Sequence, residues 1–151
     1  MRLLKLVGIS AIFFFLLLTL FTSLIPSEVR VSRAVDIQRN KEQVLPLISD
    51  TLNWHKWNRW FQDSSRRIEV KNLAVSDSLI SAVWTTDNRG FTSNYALFEI
   101  REGTTTVQWY FDIKVKWYPW EKLGSIVYDG QMGPVMEESL GNLKSLVESN
   151  P

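Results

Sequence analysis

Val107-Gln108-Trp109-Tyr110-Phe111-Asp112-Ile113-Lys114-Val115-Lys116-Trp117 decides the fold. Val107, Trp109, Phe111, Ile113, Val115 and Trp117 alternate with Gln108, Asp112, Lys114 and Lys116, the period of two that puts one face of a β-strand in a core and the other in water. Glu102-Gly103 supplies a turn before it, and Tyr118-Pro119-Trp120 stops it. Upstream, Asn94, Ala96, Phe98 and Ile100 oppose Glu99 and Arg101, which predicts a second strand with the first set inward. Ile80, Ala82 and Trp84 alternate with Ser81, Val83 and Thr85, Ile68 and Val70 with Arg67, Glu69 and Lys71, and Asp87-Asn88-Arg89-Gly90 reads as a turn. An antiparallel meander follows from these patterns.

Further out, the pattern changes on both sides. Val29, Val31, Val35 and Ile37 alternate with Arg30, Ser32, Ala34, Asp36 and Gln38 in a first strand, with Arg33 on the apolar side. Asn40 is placed to cap a short helix ending near Asp50, and Trp54, Trp57 and Trp60 follow at a spacing of three along one side of a second helix or turn. Beyond the meander, Pro119 suits a helix start. Gly133-Pro134 reads as a break, after which Val135, Met136, Leu140, Leu143, Leu146 and Val147 form the stripe of an amphipathic helix opposite Glu137, Glu138, Asn142 and Lys144. Strand, two short helices, meander and long helix make an α+β layer arrangement.

The chain opens differently. Leu6 to Ile25 contains no charged residue, and about 20 apolar residues cross a hydrocarbon core of ~30 Å. No small-residue cleavage pattern lies between Leu20 and Pro26, which favours a retained anchor over a signal peptide. The expected division is residues 1–26 as membrane anchor and 27–151 as one folded domain. A short basic N-tail, Arg2 and Lys5, favours a single-pass arrangement with the domain on the extracytoplasmic side.

Composition excludes several classes. The 151 residues include no Cys and one His, so disulfides, thiol chemistry and ordinary transition-metal sets have no ligands, and neither metal nor cofactor is expected. Lys and Arg number 17 against 16 Asp and Glu, and two of the 17 precede the apolar run; a near-neutral domain has no grip on a polyphosphate, and nucleic acid is not an expected partner. His55 beside Asp63, Ser64 and Ser65 is the only local acid–base set, with nothing in the sequence to fix its geometry. No catalytic residue is assigned.

At residue level the chain resembles the SRPBCC superfamily, the START-like or helix-grip proteins that include polyketide cyclases. The matching pieces are Ser32-Arg33-Ala34-Val35-Asp36-Ile37, Val44-Leu45-Pro46-Leu47-Ile48-Ser49-Asp50, Asn53-Trp54-His55-Lys56-Trp57-Asn58-Arg59-Trp60, and the run from Gly133 to Lys144. The likeness covers about residues 28–148; His55 and Arg59 depart from it, and the stretch after Trp117 is short for it. It implies a curved antiparallel sheet gripping the C-terminal helix, with an apolar cavity between them. Trp84, Asn94, Ala96, Phe98, Trp109, Phe111 and Met136 are then candidate ligand-binding walls, the aromatic ones otherwise plain core filler, and Trp54, Trp57 and Trp60 are either a hydrophobic plug tying the short helices to the sheet or a candidate rim. The implied function is a membrane-anchored binding domain for a hydrophobic small molecule or lipid. A cyclase- or dehydratase-type enzyme using the same cavity, and a structural or regulatory module with a filled core, are the alternatives.

Overall fold

The computed structural model describes residues 2–63, 67–86 and 89–149. The chain begins with helix α1 (Arg2–Thr22), whose mean hydropathy of 2.5 and 21 residues make it long and apolar enough to cross a membrane. Strand β1 (Glu28–Ile37) follows, then α2 (Lys41–Ser49), a 3-10 turn (Thr51–Asn53), α3 (Trp54–Trp57) and α4 (Arg59–Gln62). The meander is β2 (Glu69–Val75), β3 (Leu79–Thr86), β4 (Arg89–Arg101) and β5 (Thr104–Lys114), and the chain closes with α5 (Pro119–Ser125) and α6 (Tyr128–Ser149). The five described strands are antiparallel in the order β1-β5-β4-β3-β2. The turn residues Asp87 and Asn88, and Ser64 and Ser65 of the His55 set, lie outside the described residues.

Register fixes the faces. Trp109 pairs with Arg33 on one side and Tyr95 on the other, and Phe111 with Val31 and Ser93. Because side chains alternate, Phe91, Ser93, Tyr95 and Leu97 share the concave face with Val107, Trp109, Phe111, Ile113, Ile80, Ala82 and Trp84. α6 lies across the β1 side of that face and buries Met136, Leu140, Leu143 and Val147 in the same core.

Three expectations need correction. Asn94, Ala96 and Phe98 stand on the opposite, convex face, paired with Tyr110, Gln108 and Thr106. Phe98 is 51% exposed, and Asn94 joins a polar network there, accepting from Ser81 Oγ at 2.7 Å. The reason is that both interleaved sets in β4 are half apolar, so the charges Glu99 and Arg101 set the predicted phase. Those charges flank a register shift at the strand's far end, where alternation no longer reports the core. Second, Trp117 lies beyond the last residue of β5 and is 69% exposed. Third, α6 starts at Tyr128, with Gly133 and Pro134 inside it; Pro134 forgoes only one backbone bond, to Gly130.

Gly133 is there for contact. A side chain at this position would land on the guanidinium of Arg33, with Cβ 2.8 Å from Cζ. Arg33, inward on β1 as its position predicts, therefore lies flat against the α6 backbone. Its Nε donates to Glu137 at 2.6 Å, and Nη1 and Nη2 donate to the two oxygens of Asp129 at 2.9 and 3.1 Å. Bonds to these two carboxylates hold the guanidinium more firmly protonated than usual, and Arg33 holds the Asp129 carboxyl below its ordinary range. A sheet edge and a helix are thus clamped by one residue.

Candidate functional site

The tryptophans of α3 and α4 are placed by backbone chemistry. The last carbonyls of α2 have no donors within their own helix. Trp54 Nε1 donates to Ile48 O at 2.7 Å and Trp57 Nε1 to Leu47 O at 3.1 Å, so the indoles satisfy those groups while their rings enter the core. Asn58 breaks the two short helices apart. It is fully buried, its side-chain oxygen accepts from Trp60 N at 3.1 Å, and its amide donates to Tyr95 Oη. Burial pushes the Tyr95 phenol well above its usual range.

These rings fill one half of the concave side. Trp109 stacks on Tyr95 at 5.0 Å and meets Trp57, Trp60 and Trp84 edge-on or tilted at 5.4 to 6.1 Å. Its Nε1 donates to the buried Ser93 hydroxyl at 2.9 Å. Trp84 Nε1 has no acceptor among the described residues; its ring packs edge-on against Phe61 and Phe111 instead.

The other half is open. A cleft of about 300 Å³ lies between the first turns of α6, α4 and the strands, at the low end of the size range for small-molecule sites. Trp60, Trp84, Phe91, Phe111 and Ile113 form its apolar walls, and Ile68, Thr86, Tyr128, Gln131 and Met132 complete the lining. Position follows from register: Ile113 pairs with Val29 and Trp84 with Phe91, so the cleft sits at the end of the sheet where β1 begins.

Of the residues singled out by sequence, Trp84, Phe111 and Trp60 meet at this cleft. Trp109 and Met136 are buried in the core and do not line it, and Trp54 and Trp57 are fully enclosed, so they are core residues and not a rim. Asn94, Ala96 and Phe98 face away from it. His55 is exposed on α3, and Asp63 is exposed just past the end of α4. The α6 contribution does not follow from the sequence pattern, because Gly133-Pro134 reads as the start of the helix that in fact begins at Tyr128. Tyr128, Gln131 and Met132 do have the i, i+3, i+4 spacing of one helix face, and Phe91 follows from the Tyr95 register. No Asp, Glu, His or Lys is among the described lining residues, and no group of His, Asp and Glu there is placed to hold a metal ion.

The sequence matches no family model and no curated protein. Its shape does match solved structures. A START superfamily protein from Mycobacterium smegmatis has a TM-score of 0.60 at 16% identity, covering 81% of this chain and 99% of that one. The Zhui aromatase/cyclase from Streptomyces sp. R1128 has a TM-score of 0.56 at 10% identity, covering 80% and 94%. A protein of unknown function from Staphylococcus aureus, SA2116, has a TM-score of 0.57 at 14% identity, covering 81% and 96%. With the sheet order, the long closing helix and the half-filled concave side, these likenesses establish that the chain has the START-like helix-grip fold, preceded by an apolar helix.

Proposed function

We propose that the chain is a membrane-anchored binding domain, residues 1–26 holding it in a bilayer and residues 27–151 carrying a hydrophobic small molecule or lipid in the cleft. The observation that supports this most is the lining: aromatic and aliphatic walls with three polar side chains, Thr86 at the end of β3 and Tyr128 and Gln131 on α6. Such a surface gains from excluding water and has few groups that would orient a polar substrate. An apolar helix long enough to span supports the anchor, and the short basic N-tail supports an extracytoplasmic domain.

Two similar structures are aromatase/cyclases, which favours the enzyme as the second reading. That reading requires an acid–base pair at the cleft, where the described lining offers hydroxyls and an amide but no carboxylate or imidazole.

Native mass spectrometry of the full chain, released from detergent after exposure to a mixed phospholipid and fatty-acid extract, tests the carrier reading. Wild type should retain one apolar adduct, and Met132→Trp, which puts one more large ring into the cleft, should lose it. A wild type that retains nothing, or a variant that retains the same adduct, would count against the cleft as the binding site.

A further inference from the structure

α5 is amphipathic the wrong way round. Two of its polar residues, Lys122 and Ser125, are 3% and 2% exposed and the third charged or hydroxyl-bearing one, Glu121, is half-buried, while Trp117, Trp120, Leu123, Ile126 and Val127, on and around it, are 46 to 69% exposed. Isolated exposed apolar residues are ordinary, but a run on one side of a helix whose polar side is buried marks a surface that something apolar covers. The inversion has a visible cause. Lys122 Nζ donates to Ile25 O at 2.6 Å and to Ser27 Oγ at 2.9 Å, just past the end of α1, and Ser125 Oγ bonds back to Lys122 O. Turning the lysine inward turns Trp120 and Leu123 outward.

The same bonds say what the cover is. α5 packs on the end of α1, and α1, at 1.5 Å per residue, is about 30 Å long, one hydrocarbon thickness. A helix tied to that end lies at the level of the lipid headgroups. There, Trp and Tyr are the favoured side chains, and Trp117, Tyr118 and Trp120 form a chain of ring contacts with centroids 5.9 and 4.7 Å apart.

We infer that α5 with its flanking residues is a second membrane contact, an interfacial helix that lies in the bilayer surface beside α1. The inference rests on the reading of α1 as a bilayer anchor. Its consequence is positional: Val127 leads directly into Tyr128, Gln131 and Met132 of the cleft lining, so the contact sets the cleft beside the lipid from which an apolar ligand would come.

All seven tryptophans of the chain lie outside α1, which makes fluorescence a direct reporter. The full chain is reconstituted into phosphatidylcholine vesicles, with or without bromine on the acyl chains, and floated on a density gradient. The expected result is that the floated protein is quenched by the brominated lipid. Most of that quenching disappears in Trp117→Phe/Trp120→Phe, which keeps the apolar face, and in Leu123→Glu/Ile126→Glu, which keeps both reporters and repels the surface. A chain that does not float refutes the anchor, and this inference with it. A chain that floats but is not quenched refutes the inference alone, and cross-linking into dimers through α5 would then give the cover as a second copy. Quenching that survives in the Trp117→Phe/Trp120→Phe variant refutes it too, because the lipid would then be meeting Trp60 or Trp84 in the cleft.

Discussion

Replacing Trp109 by Ala removes the centre of the aromatic half of the core. The side chain is fully buried and has ring neighbours on several sides: Tyr95 stacked at 5.0 Å, Trp60 and Phe111 at 5.4 Å, Trp84 at 5.9 Å and Trp57 at 6.1 Å. Loss of a buried indole costs about 3–5 kcal/mol in transfer and cavity energy. The buried Ser93 hydroxyl also loses this donor while keeping its bond to the Tyr95 phenol, and one lost hydrogen bond costs about 0.5–1.5 kcal/mol. Partial collapse of the surrounding rings offsets some of this, so the expected loss is about 5 kcal/mol, comparable with the whole stability of a weak domain. Trp109→Phe keeps a ring in place and gives up mainly the hydrogen bond, for about 0.5–1.5 kcal/mol. Urea unfolding of the full chain in mild detergent, followed by circular dichroism, separates the two. With a slope of about 2 kcal/mol/M, the Ala variant should move the midpoint down by roughly 2.5 M and the Phe variant by roughly 0.5 M. An Ala variant within about 0.5 M of wild type would refute the packing of β5 against α3 and α4, because no fully buried indole in a tight aromatic cluster is lost so cheaply.

Gly133→Ala should destabilise the domain by pushing Arg33 off Asp129 and Glu137; in an Arg33→Ala background the same change should be neutral, or stabilising by about 0.5–1 kcal/mol from helix propensity. Because Arg33 lowers the Asp129 pKa in the folded state, the stability from this pair is present above the ordinary carboxylate range and is lost as pH falls through the folded pKa; Asp129→Asn should flatten the acid limb of the denaturation midpoint plotted from pH 6 to 3. Asn58→Ala removes the acceptor for Trp60 N and the donor to Tyr95 Oη, and thermal unfolding should report a loss of about 1–3 kcal/mol. Ala96→Phe, on the convex face opposite Gln108, should leave any retained adduct unchanged in native mass spectrometry; its loss would mean that the ligand sits outside the cleft.

The strands whose charges all lie on one face were legible. β5 carries Gln108, Asp112 and Lys114 outward and leaves no doubt about Trp109 and Phe111, and β1 shows Arg33 as the single inward exception, which α6 answers with two carboxylates. β4 was not legible because Tyr95-Ala96-Leu97-Phe98 is apolar at every position, so period two gives no phase there. The nearest charges, Glu99 and Arg101, lie beyond the part of the strand that the helix covers. The cleft was half legible for a related reason. Gly130, Gly133 and Pro134 are breakers in isolation, yet a close approach by Arg33 demands one of them, and the helix runs through all three. Nor could the tryptophan spacing show that Trp54 and Trp57 turn inward, since that depends on which α2 carbonyls lack donors.

The stretch between α1 and β1, Ser23 to Ser27, is short and stitched down. Lys122 bonds to Ile25 O and Ser27 Oγ, and Val115 N donates to Ser27 O at 2.8 Å. Three hydrogen bonds across so short a joint restrict how far the domain can swing on α1. In a bilayer the domain would tumble only as fast as its helix and would always present the same side to the lipid. Its reach would be set by its own radius, because a tether that is already bonded has no slack to pay out. Encounters with anything it loads or unloads would therefore be searches in two dimensions along one membrane, and delivery to a facing membrane would first require these bonds at Lys122 to open.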